Sequence, residues 1–206
     1  MVAARRLSLA LPAGVRVERL AIGADPGVQF GLALAALAFD ADGAPRICPL
    51  ELCILGQRAV RSPKSAARPA VAPSYPELLA EARRLVAVAV ALGSGADLVL
   101  ACEDWFVGPN GLTVRDTAQQ FYFAQAAAQE LGLSFRPASH ATWKREVLGT
   151  ARPASPATAY AAAAASLVGE AAPERWRPAS GAAPAEADDA AALCVAAWYL
   201  GTEVAR

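Results

Sequence analysis

The chain has 206 residues, more than half of them apolar. That is enough for one domain with a full core and short for two. Nineteen Lys and Arg balance nineteen Asp and Glu, which argues against general adhesion to nucleic acid, and no apolar run reaches the roughly 20 residues of a membrane span. One His and four scattered Cys leave no His-rich metal site and no zinc-type or redox Cys spacing.

Residues 1–17 read as an ordinary N-terminal extension leading into the first core strand. "RLAIGADPG" (Arg19 to Gly27) predicts a short strand ended by a Pro-Gly turn. "FGLALAALAFD" (Phe30 to Asp40) and "ICPLELCIL" (Ile47 to Leu55) predict two more strands joined by short turns, an antiparallel meander in which Pro49 suggests an irregular or edge start. A Pro/Ser/Ala-rich loop then ends at Ser74, which with Glu77 three residues on forms a capping-box signature for a helix stopping near Gly93. The strand Leu98 to Cys102, a helix from about Thr113 to Leu131 and a fifth strand at "LSFRP" follow. Helices near Ala141 to Leu148 and Ala157 to Val168, a long Pro/Ala loop, and a last helix from Asp188 to Leu200 complete the chain. A three-strand meander continued by alternating helices and parallel strands predicts an α/β fold with a ribonuclease H-like mixed five-stranded sheet.

Cys48, Cys53, Cys102 and Cys194 each lie among apolar neighbours. They read as small buried hydrophobes, suited to a reducing cytoplasm, with Cys48 and Cys53 on opposite sides of one strand. Arg58, Arg61, Lys64, Arg68, Arg83 and Arg84 form one basic cluster, and Arg136, Lys144, Arg145 and Arg152 form another. Both read either as solvated surface or as faces for nucleic acid.

Three acidic points stand out. Asp25 closes the first strand at the "DPG" turn, and Glu103 ends a strand that is apolar up to it. In the expected strand order these two are neighbours. Glu186, Asp188 and Asp189 open the last helix. Converging carboxylates repel unless a cation neutralises them, and oxygen-only ligands select hard ions such as Mg2+ or Mn2+. Two such ions about 4 Å apart suit phosphodiester hydrolysis, chemistry that does not need a His.

Four motifs in order resemble the RuvC-type Holliday junction resolvases, a branch of the ribonuclease H-like nucleases. They are "AIGADPG", "CEDWFVGPN", "ATWKREVLGTARPAS" and "EADDAAALCVAAW", and the resemblance spans roughly residues 19–200. It implies a homodimer that binds branched DNA and resolves four-way junctions with two Mg2+ ions per site. Carried over by motif, Asp25 would bridge the metals, Glu103 would hold one, and Asp188 and Asp189 would complete the set, with Glu186 in support. Phe106 would stack on an unpaired base and Lys144 would meet a phosphate, with Arg145, Arg152 and Lys64 as further DNA contacts. His140 has no role that the resemblance requires. Where many members carry Lys, this chain has Pro109 and Pro156, which implies fewer phosphate contacts. The rival expectations are a nuclease of the same fold acting on RNA–DNA hybrids, flaps or damaged DNA, and a non-catalytic DNA-binding module.

Overall fold

The computed structural model describes residues 4–57, 71–92, 97–105, 111–176, 184 and 187–204. Six strands form one mixed sheet: β1 (Arg5–Ser8), β2 (Arg16–Asp25), β3 (Phe30–Phe39), β4 (Pro45–Leu55), β5 (Leu98–Glu103) and β6 (Ser134–Ala138). Their order across the sheet is β1-β4-β3-β2-β5-β6. The β2–β3 and β3–β4 pairs are antiparallel, and β2–β5 and β5–β6 are parallel. The helices are α1 (Tyr75–Ala91), α2 (Gly111–Glu130), α3 (His140–Leu148), α4 (Pro156–Val168) and α5 (Asp188–Val204), with 3-10 turns at Gly169–Ala171 and Glu174–Trp176.

The meander and the two parallel strands match the sequence expectation, but the sheet has a sixth member. Part of the segment read as an N-terminal extension, Arg5 to Ser8, pairs antiparallel with Ile54 to Glu51. β4 is therefore not an edge strand, and Pro49 sits inside it next to a register shift between Leu34 and Ala35 of β3. That bulge resets the alternation of β4. Cys48, Leu50, Cys53 and Leu55 consequently all join the same core cluster, so the expectation that Cys48 and Cys53 face opposite sides fails by one inserted residue. All four cysteines are buried free thiols.

Alternation along the other strands divides the core in two. Leu20, Ile22, Leu32, Leu34 and Leu100 pack on the side that carries Leu78, Leu85, Phe121 and Ala124 of α1 and α2. Ser74 starts α1 as expected, its N–H donating to the Glu77 carboxylate at 2.9 Å. The opposite side is made of small residues: Ala21, Ala33, Ala35 and Ala101 meet Ala190, Ala192 and Ala196 of α5, with Trp143 of α3 and Ala161 and Ala164 of α4. A buried methyl stabilises by only about 0.8 kcal/mol, so this layer depends on close approach of backbone to backbone. Gly23 shows how close: a Cβ there would stand 1.9 Å from the Ala192 carbonyl oxygen. Among the described residues no helix is long and apolar enough to cross a membrane.

Candidate active site

Asp25 and Glu103 end two adjacent parallel strands, whose register pairs Ala24 with Cys102 immediately before them. Both fall on the α5 side, because Leu20, Ile22, Leu100 and Cys102 point the other way. Across β2–β3, Asp25 lies opposite Gly31. A Cβ on Gly31 would stand 2.0 Å from the Asp188 carbonyl oxygen, so the missing side chain lets the first residue of α5 settle over this end of the sheet. Asp25, Glu103 and Asp188 are thereby brought together.

Their proximity shows in the acid strength of Asp25. Burial pushes its carboxyl well above the ordinary range, and the charges of Glu103 and Asp188 push it further, against the opposing pull of Lys144. The hydrogen bond between the two groups raises Asp25 and lowers Glu103, so of the pair Asp25 is the one that holds a proton more readily. Burial also raises Glu103, opposed by Lys144 and by the Asp25 hydrogen bond. The Trp143 indole N–H favours the same anion but makes no full hydrogen bond among the described residues.

The strand pairing also explains how α3 reaches this point. Glu103 is level with Ala138 of β6, and the Asp104 N–H extends the ladder to the Ala138 carbonyl at 2.9 Å. α3 begins just beyond, with Ser139 at the N-cap position, so His140 and Lys144 share one helical face four residues apart. The Lys144 Nζ lies 3.3 Å from Glu103 Oε1, and the His140 Nε2 lies 3.2 Å from the same oxygen. His140 and Lys144 also touch each other. Burial and the neighbouring ammonium lower His140 to about 4, so the imidazole is neutral at pH 7 and its ring nitrogen can accept from the Lys144 ammonium.

Asp189 is placed elsewhere. It is fully buried and receives the Trp176 Nε1–H at 2.9 Å and the Arg175 guanidinium, tying the 3-10 turn at Glu174–Trp176 to the start of α5. Consecutive helical residues point about 100° apart, and here Asp189 faces Arg175 and Trp176 while Asp188 lies toward Asp25. Arg145 is exposed on the outer side of α3, and Arg152 is exposed in the turn before α4. Lys64, Phe106, Pro109 and Glu186 lie outside the described residues. His140 is the site residue that sequence reasoning passed over. The signal available was its spacing from Lys144 on a helix that follows a strand.

Three oxygen donors of like charge suit a hard divalent cation. Among the described residues, however, no group of three or more His, Cys, Asp or Glu is arranged to hold an ion. The positive charge that Glu103 meets is Lys144.

No family model matches the chain, and no curated protein matches it in sequence. Solved structures do. One of Thermus thermophilus RuvC is 18% identical with a TM-score of 0.54, covering 89% of this chain and 96% of that one. Another, T. thermophilus RuvC in complex with a Holliday junction substrate, is 18% identical with a TM-score of 0.56, covering 90% and 97%. The fold is that of RuvC. At this identity the likeness extends to the architecture, and what the carboxylates do has to be argued from their own chemistry.

Proposed function

We propose that this protein is a divalent-metal-dependent endonuclease that cuts branched DNA, with four-way junctions as its substrate. The observation that carries the proposal is the convergence of Asp25, Glu103 and Asp188 at the ends of β2 and β5 and the start of α5. They converge on a fold shared with RuvC, which has been solved with a Holliday junction substrate.

Asp25 and Glu103 would hold Mg2+ or Mn2+, two ions per site, with Asp188 as the third carboxylate. Divalent ions bound there would supply the charge neutralisation and activated water that phosphodiester hydrolysis requires. The chain itself prepares the position: burial first, then the charges of Glu103 and Asp188, disfavour the ionised form of Asp25, and positive charge entering the cluster would relieve that repulsion. We assign Asp189 to holding the start of α5 through Arg175 and Trp176, not to the metal set. Two symmetric cuts in one junction call for two symmetric sites, so we further propose a homodimer. A cytoplasmic location accords with four free thiols.

The test is incubation of the purified protein with Mg2+ and a panel of four-way junctions, flaps, damaged duplexes and RNA–DNA hybrids. Symmetric nicks confined to four-way junctions, with 5′-phosphate ends and lost in Asp25→Asn, are expected. Cleavage of another member of the panel alone would move the substrate class. A non-catalytic DNA-binding module is the second reading, favoured by the Lys144 ammonium already seated on Glu103. It predicts junction binding with no metal-dependent nicking at all.

A further inference from the structure

Lys144 is 5% exposed, which is unusual for a residue whose expected task was to reach a phosphate. Its ammonium lies 3.3 Å from Glu103 Oε1 and 5.2 Å from the ring centroids of both Trp143 and Tyr160, and it touches the His140 ring. An ammonium taken out of water costs several kcal/mol unless it is paired and solvated by the protein. Here a carboxylate and two aromatic faces provide that solvation together. The pocket around Lys144 is therefore built for a cation, and it lies against a carboxylate of the candidate metal set.

We propose that Lys144 is an internal counter-cation for Glu103: it neutralises the carboxylate cluster before metal arrives, and a divalent ion approaching Glu103 must displace it. A divalent ion that takes the Glu103 oxygen now facing the ammonium is repelled by it at close range. Loading a metal ion thus requires the ammonium to withdraw, and the side of least resistance is that of His140, whose side chain is 41% exposed. Lys144 acts through Glu103 and is a positioning residue rather than a ligand. It makes the cluster stable when empty and weakens its grip on metal by the same interaction. The inference rests on the metal-dependent reading above.

The test compares the full chain with Lys144→Gln and Lys144→Arg in two measurements that do not involve cleavage. These are calorimetric titration with MnCl2 and thermal unfolding in chelator. Lys144→Gln is expected to bind Mn2+ about tenfold tighter or more, since one competing charge is removed, and to unfold at a lower temperature than wild type when metal is absent. Lys144→Arg keeps the charge and is expected to show neither change. Should the Gln variant not fold, Lys144→Met, which keeps the apolar stem, serves the same comparison. Wild-type binding of Mn2+ that neither neutral variant strengthens would overturn this inference and leave the nuclease proposal standing. Absence of Mn2+ binding by wild type and every variant would remove the metal site itself, and the inference with it.

Discussion

Gly31 leaves room for Asp188: a Cβ at position 31 would stand 2.0 Å from the Asp188 carbonyl oxygen and 2.9 Å from the Asp189 nitrogen. Both atoms are backbone, so no side-chain rotation relieves the clash, and α5 has to lift at its first turn. Because Gly31 is the cross-strand partner of Asp25, that lift separates two of the three carboxylates. Gly31→Ala should therefore cost about 1–3 kcal/mol of stability and reduce junction cleavage by more than the loss of folded protein explains. Comparing specific activity with the folded fraction at one temperature checks this. A variant that loses stability but keeps full specific activity would show that Asp188 does not need its present place.

The two neighbouring acids of α5 should respond oppositely to a test of role. Asp25→Asn and Asp188→Asn remove one of three like charges, so the melting temperature should hold or rise while cleavage disappears. Asp189→Ala instead strands the Arg175 guanidinium and the Trp176 N–H; breaking a fully buried pair costs about 3–5 kcal/mol, an upper bound here because Arg175 is partly exposed. Its residual activity per folded molecule should stay well above that of Asp25→Asn. Melting curves and single-turnover cleavage of all three variants distinguish the roles.

Much of this arrangement was legible before the fold was known. Strands β2, β3 and β5 announce themselves as apolar runs closed by an acid or a turn, and Ser74 with Glu77 marks the start of α1. What escaped notice depends on partners distant in sequence. Arg5 to Ser8 lacks any alternation that marks a strand, and its place is decided by β4, some 45 residues later. One bulge in β4 moved Cys48 to the side of Cys53, and no local pattern foretells a bulge. Asp188 and Asp189 read together in the sequence as part of the metal set because the residues that claim Asp189, Arg175 and Trp176, sit in a loop with no periodicity. Lys144 reads in the sequence as a phosphate contact, since nothing near it reveals that β6 brings it to Glu103.

On the other side of the sheet, Glu81 should make folding sensitive to acid. Burial alone would raise its carboxyl, but the hydrogen bonds from Arg6 and Arg84 outweigh that and leave it below the ordinary value of 4.5. The Arg6 Nη2 lies 2.6 Å away and the Arg84 Nε 2.8 Å. Since the folded value is depressed, the stabilisation is complete above about pH 4.5 and is lost as pH falls through the folded value. Asp25 and Glu103 have the opposite sign, being raised on folding, so the Glu81 contribution is read by difference. Wild type should lose more stability than Glu81→Gln between pH 6 and pH 3 in urea unfolding. Parallel stability-versus-pH curves would mean that the bond to Arg6, which pins β1 to α1, carries no net charge dependence.

Arg145 and Arg152 are exposed on and just after the helix that delivers Lys144 to the site, which places two cations on the same structural unit as the candidate centre. Each phosphate neutralised by an arginine contributes close to one unit to the salt dependence of DNA binding. Arg145→Ala and Arg152→Ala should each leave the melting temperature unchanged, because neither side chain is buried. Each should weaken junction binding and flatten the plot of log affinity against log salt by about one unit. Lys144→Gln, whose ammonium faces Glu103 rather than solvent, should leave that slope unaltered. Fluorescence anisotropy with a labelled four-way junction in Ca2+ across a range of KCl concentrations measures all three. A slope change confined to Lys144→Gln would reverse the assignment, making the buried lysine the phosphate contact and the two arginines ordinary solvated surface.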